Sequence, residues 1–269
     1  VNKDGLIETI TDDYPRLDWL NSDCPSLVIE TLRTNRQIRS EEIDNAAWTK
    51  TATTVTANQI ISPTGELNAD KLIRTSTSAN YISDASAKSS SAQLDITTSV
   101  FVKQGEGDFF GFRSQGSYPN RGEAIYQFST NTLTTIVAGS NYTVVTSSVE
   151  NYGNGWYRLS ATFNTDAAST VTTLFSPRAT TGTVDGTDTS TTAFAYVWGI
   201  QVEEGNSLSS YIKTTSAAIT READVCSVTT PSGVTQIVET FSNNTTNTIT
   251  SIPTTYTVSS GKVKKVIMT

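Results

Sequence analysis

The sequence predicts an all-β protein: a jelly-roll β-sandwich with an N-terminal arm and a small C-terminal β section. Short segments in which apolar and polar residues alternate run through most of the chain, and they are rich in Thr and Ser. Turn-forming sequences such as SPTGE, YPNRGE and YGNG separate them. Apolar stripes at helical spacing are scarce. Many short strands between turns are typical of a sandwich and not of a parallel α/β sheet.

Residues 1–39 are predicted to form an arm or attachment segment. Short mixed pieces surround the acidic sequence TDDYP, and one apolar strand is expected from Leu27 to Leu32. Residues 40–48 predict a single helical turn, because Ser40 can cap it and the acidic residues that follow favour a helix N-terminus.

Residues 40–224 are predicted to form the jelly-roll domain. Its clearest strand pattern places Tyr157 on the core face together with the apolar residues that alternate after it. Trp156 and Arg158 take the opposite face, where Arg158 could stack on the indole. Whether Trp156 is a binding surface or a packed residue stays open at this point.

A second alternating strand follows residue 193 and is predicted to place its aromatic side chains in the core. Two aliphatic residues continue the same alternation, which favours burial over an exposed sugar-binding row. The residues predicted on this face are Phe194, Tyr196, Trp198, Ile200 and Val202.

Residues 225–269 are predicted to form three or four short strands that serve as a β tail and possible assembly element. Lys262, Lys264 and Lys265 form the one basic cluster, and we expect them to protect a strand edge. Cys24 and Cys226 are predicted to be free buried thiols, with a disulfide as the alternative if the two flanks meet.

Composition excludes several classes of function. The 269 residues carry a formal net charge of −7, which argues against a nucleic-acid partner. The sequence contains no histidine, which removes the commonest general base and Ser-His or Cys-His catalysis. No apolar stretch approaches the roughly 20 residues of a membrane span, so membrane insertion is not expected. The missing initiator Met and signal peptide suggest a piece of a longer protein.

Four segments together resemble a recurrent part of phage tail and fibre proteins, which is itself similar to the lectin-like jelly rolls of carbohydrate-binding modules. They cover about residues 4–225, from GLIETI through SEEIDNAAW and ENYGNGWYRLSATF to FAYVWGIQVEEG and beyond. The resemblance implies a virion-surface protein of a bacteriophage, located on a tail or head fibre and assembled in the bacterial cytoplasm. It implies host cell-surface polysaccharide and other virion proteins as partners, and a homo-oligomer with a trimer favoured.

The resemblance also implies a structural calcium ion, since such jelly rolls often hold one between the first and last strands. The matching positions are Glu42, Gln201 and Glu203, whose oxygen atoms suit calcium. An ordinary solvated strand end is the alternative for the two glutamates that precede Gly205.

A glycan-binding site is predicted in or beside the loop sequence GFRSQGSYPNRGE, because loops on rigid sandwiches often carry function. Aromatic planes suit the C–H faces of sugars, and arginine supplies hydrogen bonds. Ordinary hairpin roles are the alternative. The candidate ligand-binding residues are Phe110, Arg113, Tyr118, Arg121, Tyr126 and Trp156.

The function predicted is receptor binding: a tail-fibre-like protein that binds host surface glycans and is not an enzyme. The first alternative is a structural decoration or assembly protein of a phage tail or capsid that binds no glycan. The second is a polysaccharide-degrading enzyme, although no carboxylate pair can be identified from the sequence.

Overall fold

The computed structural model describes residues 1–10 and 14–269, and within them the chain forms β-strands and no helix. This confirms the predicted all-β class. The acidic part of the predicted arm at residues 11–13 lies outside the described residues. No described segment is a helix of the length and apolar character needed to span a membrane.

In chain order the strands are β1 (Leu17–Asp18), β2 (Ser26–Ile29), β3 (Arg33–Asn35), β4 (Thr49–Thr51), β5 (Thr53–Ile61), β6 (Leu67–Arg74), β7 (Tyr81–Ala87), β8 (Asp95–Glu106), β9 (Phe109–Gln115), β10 (Arg121–Gln127), β11 (Thr132–Ala138), β12 (Thr143–Gly153), β13 (Trp156–Asn164), β14 (Thr170–Arg178), β15 (Phe194–Glu204), β16 (Ile219–Arg221), β17 (Ser227–Thr229), β18 (Ile237–Phe241), β19 (Thr246–Ile249), β20 (Thr255–Thr257) and β21 (Gly261–Met268).

The chain divides into two compact units. The larger unit comprises residues 34–220, and the smaller one combines residues 1–33 with residues 221–269. Most of the predicted arm and all of the predicted β tail thus belong to the same unit.

The larger unit is a sandwich of two six-stranded antiparallel sheets. Sheet I has the order β11-β10-β9-β14-β7-β4, and sheet II has the order β12-β13-β8-β15-β6-β5. The chain passes from one sheet to the other at β4–β5, β6–β7, β7–β8, β8–β9, β11–β12, β13–β14 and β14–β15. This repeated crossing is typical of a jelly roll.

The core of the sandwich lies between the two sheets and follows the predicted alternation for most strands. Val100 and Val102 of β8 contribute to it, as do Leu159 and Phe163 of β13, while Tyr157 packs against it. Sheet I contributes mainly aromatic rings. The buried side chains that it contributes include Phe110, Phe112, Tyr126, Phe175 and Ile82, and Trp48, just before β4, packs with them.

A β-bulge interrupts β15 and changes which side chains reach the core. Trp198 lies opposite Phe101 and Gln201 lies opposite Ser99, so two residues of β15 share the space of one on β8. Gly199 begins the bulge with a φ of 62°, in the left-handed region that favours glycine. The bulge shifts the alternation of side chains along β15 by one residue. Ile200 therefore lies on the core face of sheet II, whereas the opposite, outer face carries Phe194, Tyr196 and Trp198. The predicted burial was therefore wrong for Phe194 and Tyr196, which are partly exposed, whereas Trp198 is buried as predicted, on the other face of the sheet. The core side of β15 is formed by Ala195, Val197, Ile200 and Val202.

Residues 39–48 form successive turns and not the predicted helical turn. The N–H groups of Glu42, Asn45 and Trp48 each donate to the carbonyl three residues before them. The Ser40 hydroxyl is 2.7 Å from the Tyr211 hydroxyl and does not cap a helix. Tertiary hydrogen bonds thus replaced the local capping that the sequence suggested.

Asp70 on β6 fixes these turns from inside the sandwich. Its Oδ2 accepts the N–H of Ile43 at 3.0 Å and of Asp44 at 3.3 Å, and its Oδ1 accepts the N–H of Asn58 at 2.9 Å. Burial of the carboxylate raises the pKa of Asp70 from 3.8 to about 6, with a smaller contribution from the negative charge of Asp44.

The smaller unit contains a five-stranded sheet of order β1-β2-β21-β18-β19 and the short pair β17-β20. The lysine cluster lies on β21, which pairs with β18 along most of its length and with β2 only at residues 261–263. The edge expectation was therefore wrong for Lys262, whereas the exposed Lys264 and Lys265 lie where β21 pairs with β18 alone. Lys262 instead pairs with Asp18 at 2.7 Å. Cys24 and Cys226 are both free, as predicted, but Cys24 is exposed.

Replacement of Gly199 should destabilise the sandwich more than replacement of Gly153. Both glycines have positive φ, so alanine costs each about 1–2 kcal/mol in backbone strain. A Cβ on Gly199 would lie 2.9 Å from Cδ2 of Phe101, whereas a Cβ on Gly153 meets no atom within 4 Å. We expect Gly199→Ala to lower the free energy of unfolding by about 1 kcal/mol more than Gly153→Ala, as measured by urea denaturation. Equal losses would contradict the packing role of the bulge.

The charge of Asp70 should make stability depend on pH. Because its folded pKa lies above 3.8, its contribution is fully present below about pH 4 and is lost as the pH rises through about 6. The stability of Asp70→Asn relative to wild type should therefore improve by about 2 kcal/mol between about pH 4 and about pH 7. Urea denaturation across this range measures the difference, with the exposed Asp23→Asn as control. A difference that is constant with pH would show that Asp70 titrates normally.

Candidate functional site

The outer face of sheet II presents partly exposed aromatic side chains beside lysines. Tyr196 of β15 lies opposite Lys103 of β8 on one side and Lys71 of β6 on the other. Phe194 precedes Tyr196 by two residues on the same face of β15, and its ring centroid is 5.6 Å from that of Tyr196. All four side chains are partly exposed. We call Phe194, Tyr196, Lys71 and Lys103 the aromatic strip.

The ring of Phe194 is held in place by close packing. A Cβ at Gly105 would lie 2.2 Å from two carbon atoms of this ring, so only glycine leaves room for it at that position. The Lys71 ammonium lies 3.7 Å from the ring centroid, within the range of a cation–π interaction. Phe194 is therefore pre-positioned from below by Gly105 and from one side by Lys71.

Trp156 is a packed residue, which is the second of its two sequence-based interpretations. It points to the outer face of sheet II but is only 3% exposed, and its Nε1 donates to the Ile61 carbonyl at 3.1 Å. Trp156 thus binds the end of β5 to the face of the sheet. Its ring is unavailable to a ligand in this structure, which corrects its assignment to the binding site.

The remaining part of the same face is closed by the segment that follows β15. Trp198 packs against Phe101 and Tyr211, with ring centroids 5.2 Å and 4.6 Å away. The Arg158 guanidinium lies over Phe101, at 5.0 Å from the ring centroid, and donates to the Ser209 carbonyl at 2.9 Å. The predicted stacking of Arg158 on Trp156 is replaced by this contact. The outer face of sheet II thus has two parts: the aromatic strip is partly exposed, and the part around Trp198 is covered by the segment after β15.

Phe110 and Tyr126 lie in the core between the two sheets, so the structure corrects their assignment as ligand-binding residues. Both are fully buried. The Tyr126 hydroxyl donates to Oδ1 of Asn131 at 2.7 Å, and burial raises the pKa of Tyr126 to about 12. The predicted loop residues were in fact the inward-facing residues of β9 and β10.

Arg113 is also unavailable to a ligand, because the chain between β14 and β15 covers the outer face of sheet I. Its guanidinium pairs with Glu123 at 2.9 Å and with Asp185, which lies on this covering segment. The other Glu123 oxygen accepts the N–H of Val184 at 2.7 Å. Val184 itself is fully buried against Ile125 of sheet I.

Tyr118 and Arg121 are the predicted residues that reach the surface. Tyr118 is 79% exposed, and the Arg121 guanidinium lies 6.0 Å from its ring centroid. The loop that carries Tyr118 is held by Asp166, whose Oδ2 accepts the N–H of Ser117 at 2.8 Å and the side-chain amide of Asn120 at 3.2 Å. Tyr118 is therefore an exposed ring on an anchored loop, but it forms no aromatic pair with another ring of the described residues.

The predicted calcium ligands already have protein partners. Glu203 accepts hydrogen bonds from the Ser209 N–H at 3.0 Å, from its hydroxyl at 2.6 Å and from Nε2 of Gln201 at 3.1 Å. Gln201 Oε1 accepts the N–H of Ile212 at 2.8 Å, and Glu42 pairs with Arg39 at 3.0 Å. Across the described chain, Cys, Asp and Glu side chains do not gather in groups of three or more that could hold a metal ion. The calcium site stays a prediction.

The aromatic strip escaped prediction, although the sequence contained a signal for it. Gly199 interrupts the alternation of β15, and an isolated glycine in a strand is a signal of a bulge. A bulge there would have separated Phe194 and Tyr196 from the apolar residues after it.

No known protein family matches the sequence, and no characterised relative does. Among solved structures, one similar chain is the enzymatically active domain of tailspike protein 4 of bacteriophage CBA120, with a TM-score of 0.39 and 10% identity over 64% of this chain and 21% of that one. Another is the CBM22-1 xylan-binding domain of Paenibacillus barcinonensis Xyn10C, with a TM-score of 0.36 and 12% identity over 64% of this chain and 92% of that one.

A third is the CBM22-1–GH10 part of Clostridium thermocellum xylanase 10B, complexed with xylohexaose, with a TM-score of 0.35 and 15% identity over 69% of this chain and 30% of that one. The tailspike and xylanase alignments thus cover less than a third of those chains. The low identities and TM-scores of these three neighbours carry no information on the ligand or activity of this chain.

Proposed function

We propose that the sandwich binds glycans through the aromatic strip and catalyses no reaction. The observation that carries this proposal is the outward, partly exposed position of Phe194 and Tyr196 on sheet II. The two rings lie 5.6 Å apart at an interplanar angle of 82°, so a sugar ring that stacks on one of them has the other ring beside it. The sequence resemblance to phage tail and fibre proteins supports a place on the virion surface, where the glycan would belong to a host cell.

The chemistry of the strip suits a sugar. Sugar rings expose C–H faces that pack on aromatic planes, while their hydroxyl groups need hydrogen-bond partners. The Tyr196 hydroxyl has no hydrogen bond to another described residue, and the lysines on both sides of it are donors. Apolar stacking and polar orientation are thus available within one small surface.

Removal of the Tyr196 ring should weaken glycan binding. We expect Tyr196→Ala to lower affinity for host envelope polysaccharide about tenfold, a change of about 1.4 kcal/mol. Binding of the purified chain is measured with calcium and with chelator, and Tyr14→Ala serves as a matched control because Tyr14 is 71% exposed in the other unit.

Tyr118→Ala and Arg121→Ala test whether glycan binds at the loop before β10 and not at the aromatic strip. Loss of binding in these variants, with full binding by Tyr196→Ala, would move the site to the loop before β10. Loss in chelator alone would support the predicted calcium ion. Release of reducing ends from the polysaccharide would replace simple binding with hydrolysis.

A structural assembly role is the second candidate, and two neighbouring sheet edges favour it. β11 is the edge strand of sheet I and β12 is the edge strand of sheet II. Ile136, Val137, Val144 and Val145 on these strands are each at least 41% exposed. Neither strand contains Lys, Arg or Pro, the residues that commonly protect an edge. The backbone N–H and carbonyl groups on the open side of β11 and β12 can pair with the same groups of a second copy of the chain. We propose that two copies pair at this edge.

Lysine at this edge should prevent self-association. We expect Ile136→Lys/Val144→Lys to be monomeric at concentrations where the wild type forms a larger species, because charge on an edge strand opposes pairing. Sedimentation equilibrium gives the mass, and Gln59→Lys on the opposite edge strand β5 is the control. A dimer would fit symmetric pairing of this edge, and a trimer would fit the oligomer favoured from sequence. Oligomers that the double variant leaves intact would exclude this edge.

A further inference from the structure

The two lysines of the aromatic strip occupy equivalent places on either side of Tyr196. Lys71 on β6 and Lys103 on β8 are the register partners of Tyr196 on its two neighbouring strands. All three side chains lie on the outer face of sheet II. A ligand ring stacked on Tyr196 would therefore have an ammonium group within reach on each side.

Both ammonium groups are held by contacts that leave their charge uncompensated. Lys71 lies over the face of Phe194 at 3.7 Å, and Lys103 donates to the Asn154 carbonyl at 2.6 Å. Neither forms an ion pair with a carboxylate of the described chain. An ammonium has three donors, so Lys103 keeps two for a ligand.

Cations of the same unit fall into two groups. Lys50, Lys88 and Arg158 donate to backbone carbonyls and form no ion pair with a carboxylate of the described chain. Arg113, Arg121 and Lys213 each contact a carboxylate within 3 Å. In a chain whose net charge is −7, two partly exposed and unpaired lysines beside aromatic rings are a local positive surface. The one carboxylate aligned with the strip is that of Glu106, which lies opposite Phe194 and accepts a hydrogen bond from the Thr192 hydroxyl at 3.0 Å.

We infer that the aromatic strip selects acidic glycans, in which a uronic-acid ring stacks on Tyr196 and its carboxylate contacts Lys71 or Lys103. The inference rests on the proposed glycan binding and adds the substrate class. Neutral sugars would use the rings and leave both charges unmatched. A uronate can stack its sugar ring on Tyr196 and pair its carboxylate with a lysine at the same time.

The test compares each acidic polysaccharide with its own neutral form. Bacterial surface polysaccharides are printed on an array, every acidic one beside the same polymer after reduction of its carboxyl groups to primary alcohols. Wild type, Tyr196→Ala and Lys71→Gln/Lys103→Gln are applied at low and high salt. Lys264→Gln/Lys265→Gln removes the same charge from exposed positions on β21 and is the matched control.

We expect wild type to bind acidic members and to lose this binding when their carboxyl groups are reduced. Lys71→Gln/Lys103→Gln should bind them roughly five- to thirty-fold more weakly, since two partly exposed ion pairs are lost. High salt should weaken wild-type binding and have less effect on this variant. Lys71→Arg/Lys103→Arg keeps the charges and should retain most of the affinity.

Equal binding to acidic and reduced polymers would overturn the inference and leave the proposed glycan binding intact. Equal losses in the two double-glutamine variants would also overturn it, because net charge and not the strip would then account for the effect. Binding to no member of the array by a folded protein would overturn the proposed function itself.

Discussion

The β-bulge at Gly199 is the constraint on which the site depends. β15 lies inside sheet II between β8 and β6, so a shift of one residue in its alternation moves side chains across the whole sheet. Before the bulge, Ala195 and Val197 fill the core and the aromatic residues between them point outward. After it, Ile200 and Val202 return to the core side. Without the bulge, one half of β15 would place polar residues in the core.

Buried polar groups determine which parts of the two outer faces stay open. On sheet I, Arg113 and Glu123 hold the covering segment through Asp185 and Val184. On sheet II, Gln201 and Glu203 hold the segment around Ser209. Desolvation of these groups is offset by several hydrogen bonds each, which keeps both covers in one position. The segment around Ser209 does not extend over the aromatic strip on sheet II.

Several predictions succeeded because they depended on local pattern alone. The alternation in β13 identified Leu159 and Phe163 as core residues, and the frequency of short strands between turns identified the sandwich. Others failed where a neighbour in space decided the outcome. Phe110 and Tyr126 flank a Gly-rich loop in sequence, yet sheet II buries them. Lys262 near the C-terminus resembled an edge residue, yet β2 pairs with its strand at that position.

The sequence by itself determined the all-β class, the positions of most strands and the exclusion of histidine chemistry, because strand period, turn residues and composition are local properties. The tertiary structure alone decided which aromatic residues are exposed. Trp156 and Tyr196 both point to the outer face of sheet II, but the chain at Ile61 contacts only Trp156 through a hydrogen bond to its indole. Exposure depends on what lies above a side chain, and that contact joins residues 95 positions apart in the sequence.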